Sequence, residues 1–214
     1  METFLNSNGA VIVHNIITVI QENAAYLSEI DGAIGDGDHG INMSKGMTMC
    51  QERLAGKEID MTGAMKTLGR VLLMEIGGSM GPLYGTFFRE MAKASQEKDV
   101  ITPQIVLDML KAALAGVQGL GNAKVGDKTL VDTMVPAIDA YEKAMNDGQN
   151  FQAALDTMKQ AAEAGKDSTK DLVAKVGRSS RLGERSRGVL DAGATSCWLI
   201  LKSMADSMIE LLSA

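Results

Sequence analysis

Three aspartates and four glycines crowd the stretch from Asp31 to Gly40, which reads DGAIGDGDHG. Carboxylates this close, Asp31, Asp36 and Asp38, repel one another and drive the chain apart unless a cation sits among them. Their hard oxygens suit magnesium, which keeps several waters and shares its other positions with substrate phosphates. The stretch then runs through His39, Gly40, Ile41 and Asn42 into a helix start, and Gly78 to Gly81 form another. Backbone N–H groups and the helix dipole favour phosphate at both places. Three carboxylates and a nucleotide diphosphate, about −3 apiece, repel each other, but two magnesium ions bring about +4 between them, which is the charge logic of phosphoryl transfer.

Other motifs in the chain fail on context. Gly35 to Gly40 fits the G-x-G-x-x-G dinucleotide fingerprint, yet a helical segment precedes it where a strand is needed, and two aspartates would face the pyrophosphate. Gly77-Gly78-Ser79-Met80-Gly81 fits the G-x-S-x-G elbow of hydrolases, but Ser79 follows a helix rather than a strand. Gly121 to Thr129 resembles a P-loop with Asp127 inserted before the lysine, which spoils the phosphate cradle. An EF-hand counted from Asp36 puts Ile41 and Met47 where glycine and glutamate belong.

The elements that must position these residues are helical. From Asn6 to about Ile30, Ile12, Ile16, Ile20, Ala24 and Leu27 line one face, and His14 on this helix reads as a surface or locally satisfied residue. A second helix runs to about Ala55; a third, capped near Asp60 or Thr62, carries Leu68, Leu72 and Ile76. A fourth covers residues 79 to about 96 with Pro82 in its first turn, and Thr102-Pro103 opens a fifth that ends among Gly116, Gly119 and Gly121. Asp127 is the expected cap of a sixth helix, bent at Pro136, and Asn150 of a seventh that continues to Gly177. The eighth begins near Ala192 and buries Ala194, Trp198, Leu201, Ala205, Met208 and Leu212. The expected fold is all-α, one domain over residues 1–214, an antiparallel bundle or barrel of eight amphipathic helices with the site in the loops at one end.

A hydrophobic share of 45%, a charged share of 22% and 214 residues suit a globular chain with a substantial core, in which fifteen methionines and four phenylalanines make for deformable packing. A net charge of −6 argues against a general nucleic-acid binder. No apolar run approaches a membrane span and no basic signal region opens the chain, so a cytoplasmic location is expected, with Cys50 and Cys197 as buried reduced thiols. The exception to the acidic balance is the loop from Gly177 to Ala194, with Arg178, Arg181, Arg185 and Arg187 against one Glu184. A loop of this length between two strong helices covers a site or meets a partner, and one of its arginines can stabilise charge on a transferred phosphoryl group.

Four motifs in order, GDGDHGINM, GGSMGPLYGTFF, GDKTLVDTMVPA and GRSSRLGERS followed by DAGAT, resemble the L subunit of dihydroxyacetone kinase over essentially the whole chain. The resemblance implies a barrel of eight antiparallel helices closed over a nucleotide, ADP or ATP, with the loop after the seventh helix as lid. It implies that Asp31, Asp36 and Asp38 hold two magnesium ions and that His39, Gly40, Ile41, Asn42, Ser79 and Met80 surround the phosphates. Gly121, Thr129, Leu130, Arg178, Asp191, Ala192 and Gly193 match positions near the ribose and adenine, and Arg178 is the expected catalytic arginine. It also implies a separate K-type subunit that holds the ketose. The phosphoryl donor is either a phosphohistidine protein of the sugar phosphotransferase system, with ADP as a retained coenzyme, or exchanging ATP.

Several residues depart from the family pattern: Met80 stands for serine or threonine, Arg181 for an aromatic residue, Arg187 for an apolar one, Val189-Leu190 for His-Gln and Ala192 for proline. These changes bear on the donor and on which small ketose accepts, and they leave the magnesium–nucleotide residues intact. Oligomeric state stays open, a homodimer among the options. Two other functions fit parts of the pattern: an ADP/ATP-sensing regulatory module that contacts a transcription factor or kinase, and the nucleotide domain of a fatty-acid kinase. The histidine of GDGDHG, where threonine is expected, and the missing acyl-binding domain count against the last.

Overall fold

The computed structural model describes residues 2–213 and is built almost wholly of helix. Its elements, in order, are β1 (Phe4–Leu5), a 3-10 turn, α1 (Ala10–Glu22), α2 (Ala24–Ile34), α3 (His39–Leu54), α4 (Met61–Glu75) and α5 (Met80–Ala94). Then come β2 (Val100–Ile101), α6 (Pro103–Gly121), α7 (Val131–Asn146), α8 (Phe151–Ser168), two further 3-10 segments and α9 (Ala192–Leu212). Each of α3 to α9 packs on its neighbour in sequence, and α9 and α3 both pack on α1, so eight helices close a ring with α2 outside it. Successive short connections make the ring antiparallel. The ends of α1, α2, α4, α6 and α8 therefore gather with the starts of α3, α5, α7 and α9.

Local sequence explains most of the boundaries. Asp60, Thr102, Asn150 and Asp191 each accept the N–H three residues on, as helix caps do. The inward faces carry the aliphatic and methionine residues expected of them, among them Ile12, Ile16, Met47, Leu68, Leu155 and Met204, all fully buried. At the far end β1 pairs antiparallel with β2, which ties the beginning of the chain to the α5–α6 connection. Among the described residues no helix is long and apolar enough to cross a membrane.

Three expectations need correction. The single first helix is two, so the described residues form nine α-helices, the eight of the ring and α2. The chain breaks at Asn23, whose Nδ2 donates to the Val19 carbonyl at 2.8 Å in competition with the helical ladder. The apolar stripe runs on across this break, which is why periodicity does not reveal it. Asp127 does not cap the sixth helix of the ring: α7 starts at Val131, and it is Asp132 that gathers the preceding loop, accepting Gly126 N–H at 2.5 Å and Thr129 N–H at 2.7 Å. Finally α8 stops at Ser168 rather than near Val176, because the chain turns through Thr169–Asp171 into extended backbone at Leu172.

Pro136 lies inside α7 and Gly165 of α8 packs directly on it, with a Cβ at Gly165 only 2.9 Å from Pro136 Cγ. Gly165→Ala should therefore lower unfolding free energy by about 1–3 kcal/mol, as small-to-large changes in a tight core do. Urea denaturation checks this, and an unchanged midpoint would contradict the close α7–α8 contact.

Candidate functional site

The convergence of helix ends encloses a cavity of about 750 Å³. α2 supplies Asp31 and Ile34; the short α2–α3 connection supplies Asp36 and Asp38; His39 opens α3. One oxygen from each of the three aspartates lies within 4.8 Å of the others, and all three side chains keep some solvent access. This donor set fits a hard divalent cation that retains waters. Asp31 stands on the last turns of α2, not in the loop, so a helix holds one ligand and a glycine-rich connection the other two. Arg178 of the lid pairs with Asp36.

His39 is buried, and its ring belongs to a polar chain that crosses the barrel. Nε2 lies 2.8 Å from Ser196 Oγ, Ser196 Oγ lies 2.6 Å from Tyr84 Oη, and Tyr84 donates to the Gly193 carbonyl at 3.0 Å. Ser196 Oγ also lies 3.2 Å from the same carbonyl, so the two hydroxyl hydrogens are shared among the carbonyl, each other and the ring, and the His39 tautomer follows from that sharing. Burial pushes the His39 pKa down to about 4 against the opposing pull of Asp31, so the ring is neutral at physiological pH.

The remaining expected residues fall on the same cavity. Ser79 and Met80 lie at the start of α5, Gly121 at the end of α6, Thr129 and Leu130 before α7, and Asp191, Ala192 and Gly193 at the start of α9. Arg178 and Arg181 of the lid line it as well. Gly40, Ile41 and Asn42 stand outside the lining. Asn42 N–H donates to the Asp38 carbonyl at 2.9 Å, Gly40 abuts the Ala24 carbonyl, and the Ile41 side chain is 66% exposed. Burial raises both thiols, Cys50 to about 12, and neither cysteine lines the cavity.

Sequence reasoning missed Lys128, Tyr84 and Ser196. Tyr84 and Lys128 lie within quoted motifs, but nothing in their local pattern marks partners 112 and 41 positions away. Lys128 is 1% exposed, and its Nζ donates to the carbonyls of Thr169 at 2.6 Å and Val189 at 2.5 Å. An apolar wall of Ile34, Leu83, Val117 and Leu120 completes the cavity.

Residues 33–206 match the DAK2 domain. The chain belongs to the DAK2 domain family. It is 38% identical to the ADP-binding subunit DhaL of a PEP-dependent dihydroxyacetone kinase from Listeria innocua, over 89% of this chain and 91% of that one. It is 36% identical to the corresponding subunit from Escherichia coli, over 87% and 90%. The fold matches the crystal structure of the dihydroxyacetone kinase of C. freundii with a TM-score of 0.72 at 24% identity, covering 94% of this chain and 34% of that longer one. The DAK2 match thus spans every residue of the cavity described above except Asp31.

Asp191 gives the site a pH signature. Burial raises its pKa to about 6, reinforced by Asp132 and Asp31 and opposed by the Ala194 N–H bond and the Lys128 ammonium. A carboxyl raised in the folded state stabilises folding below its unfolded pKa and loses that contribution as pH rises through the folded value. Asp191→Asn keeps the cap and removes the titration. Between about pH 4 and 6.5 the variant should gain up to about 3 kcal/mol relative to wild type. Parallel denaturation curves across that range would contradict the assignment.

Proposed function

We propose that the chain is the nucleotide-binding subunit of a dihydroxyacetone-type kinase, passing a phosphoryl group by way of ADP or ATP to dihydroxyacetone or a related small ketose on a separate K-type subunit. The observation that carries this reading is the division of one cavity into a carboxylate end flanked by helix starts and an apolar end. A nucleotide diphosphate needs both. The names of the relatives from L. innocua and E. coli, ADP-binding subunits of PEP-dependent kinases, support the same reading and favour a phosphohistidine protein over exchanging ATP as donor.

In this reading Asp31, Asp36 and Asp38 hold two magnesium ions, which when bound supply the positive charge that lets an acidic connection accept a polyphosphate. The chain's own groups do the rest. His39, Gly40 and Ile41 offer first-turn amides of α3, as helix starts do, with Asn42 closing the turn; Ser79 and Met80 do the same at α5. With a backbone N–H available at Met80, the absent hydroxyl costs only one bond. Gly121, Thr129, Leu130, Asp191, Ala192 and Gly193 enclose ribose and adenine against the apolar wall. Arg178 meets the transferring phosphoryl group, and the lid excludes water that would otherwise compete with the ketose.

A K-type partner is consistent with the apolar side chains exposed around this end. Ile41 and Met74 are 66% and 70% exposed, and Leu120, Val125 and Val176 are also open. Apolar surface rimmed by polar residues marks an interaction face.

Asp36→Ala is expected to weaken magnesium-dependent ADP binding by at least about 100-fold in titration calorimetry, with helix content by circular dichroism unchanged. Normal ADP binding by the variant would remove Asp36 from the site. In an assay reconstituted with a K-type subunit and dihydroxyacetone, Arg178→Ala should lower kcat by about 100-fold. Absence of sugar phosphate with either donor in the wild-type assay would overturn the kinase reading in favour of a nucleotide sensor.

A further inference from the structure

We propose that Lys128 is the positioning residue of the lid: its ammonium clamps together the two ends of the segment 172–190, and so sets how long a bound nucleoside diphosphate stays in the cavity. The second half of this proposal rests on the nucleotide reading of the site; the first half does not.

The lid begins where α8 gives way to the turn at Thr169–Asp171 and ends at Asp191, the cap of α9. Its own body is tied internally. Ser186 Oγ accepts the Ala174 N–H at 2.9 Å and donates to the Gly183 carbonyl at 2.6 Å, and Arg187 pairs with Glu184. Outside its base this body is held by Arg178, whose exposed side chain pairs with Asp36, and by a single backbone bond, the Lys175 N–H donating to the Asp127 carbonyl at 3.1 Å. The buried ties lie at its base. There Gly188 N–H donates to the Lys170 carbonyl at 2.7 Å and Asp191 N–H to Thr169 Oγ1 at 3.0 Å. These bonds join the two lid ends to each other. Lys128 is different, because it reaches the Thr169 and Val189 carbonyls from a third segment that itself lines the cavity. It fixes the lid to the cavity wall.

Backbone conformation supports a selected role for this side chain. Lys128 has φ +61°, the left-handed region that glycine, asparagine and aspartate enter at lower cost than lysine. Asp132 forces the conformation by taking the N–H groups of Gly126 and Thr129 on either side. A glycine would relieve the backbone, so only what the ammonium does accounts for a lysine there. Burying an ammonium is costly unless carbonyls and charges receive it, and here two carbonyls accept its hydrogens and the Asp191 carboxylate supplies the leading favourable charge.

The lid carries its own reporter, since Arg178, Arg181, Arg185 and Arg187 are all exposed trypsin sites whose cleavage requires local opening. Lys128→Met and wild type are compared by limited trypsinolysis with fragment mass analysis, and by release of a fluorescent ADP in the presence of magnesium. Expected for Lys128→Met are lid cleavage and ADP release each at least about tenfold faster, with cleavage outside the lid and helix content unchanged. Lys128→Gln, whose amide keeps two donors for the two carbonyls, should restore most of both. Lys128→Leu takes the place of the methionine variant if that variant does not fold. Lid cleavage at the wild-type rate in the folded methionine or leucine variant would overturn the clamp. Faster cleavage with unaltered ADP release would overturn its control of retention. If wild-type protein binds no ADP, the nucleotide reading and the retention half fall together, and the clamp is judged on cleavage alone.

Discussion

Mutual repulsion among Asp31, Asp36 and Asp38 governs how the open end of the barrel is arranged. With oxygens within 4.8 Å of one another, these carboxylates stay together only because separate elements hold them. α2 leaves the ring of helices at Asn23 and brings Asp31 in on its last turn, which is closed by Gly35 N–H donating to the Asp31 carbonyl at 2.5 Å. The start of α3 sets Asp38 beside it. Opposite charge then comes from the lid through Arg178. With divalent cations among its carboxylates, such a site, with a half-apolar cavity behind it, suits a ligand that carries phosphates at one end and a flat ring at the other.

The two halves of the cavity share one support, the first turns of α9. Gly193 takes the hydrogen bond that orders Tyr84, Ser196 and His39 on the carboxylate side, and Asp191 faces Lys128 on the lid side. The carbonyl of Ala194, next to Gly193, accepts from Thr133 of α7 at 3.1 Å. Buried polar networks of this kind are stable only when every member is satisfied, and then they fix geometry more firmly than apolar packing does. Small shifts at the start of α9 would disturb His39 and the lid base together.

Much of this was legible in the sequence because it is local. Caps at Asp60, Thr102 and Asn150 are written in single residues, and the carboxylate trio occupies eight consecutive positions. Where the reading slipped, two local signals competed: the apolar stripe from Ile12 to Leu27 outvoted Asn23, and Asp127 looked like a cap although α7 starts at Val131 without a side-chain cap and Asp132 gathers the loop before it. The end of α8 was misplaced for a related reason, since Leu172 and Val176 keep helical spacing while the backbone has already turned toward the lid. Lys128, Tyr84 and Ser196 were not legible at all. Their partners are set by the closure of the ring, and nothing in a linear pattern distinguishes a lysine bound to distant carbonyls from one in solvent.

Charge also explains why an acidic protein concentrates arginines on one loop. The net charge is −6, yet four arginines stand between Gly177 and Ala194. A lysine's compact ammonium would neutralise the carboxylates equally well. The guanidinium adds a planar fork that matches carboxylate and phosphate oxygens alike, so Arg178 can pair with Asp36 and can equally meet a phosphate presented beside it. Lys128 at the base of the lid has the opposite task. It binds neutral carbonyls in a buried position where a wide fork would not fit two acceptors from different strands of chain, and a compact, three-donor ammonium does. Arg178 and Lys128 therefore divide the work, one on the lid for exchangeable oxyanions and one beneath its base for fixed backbone.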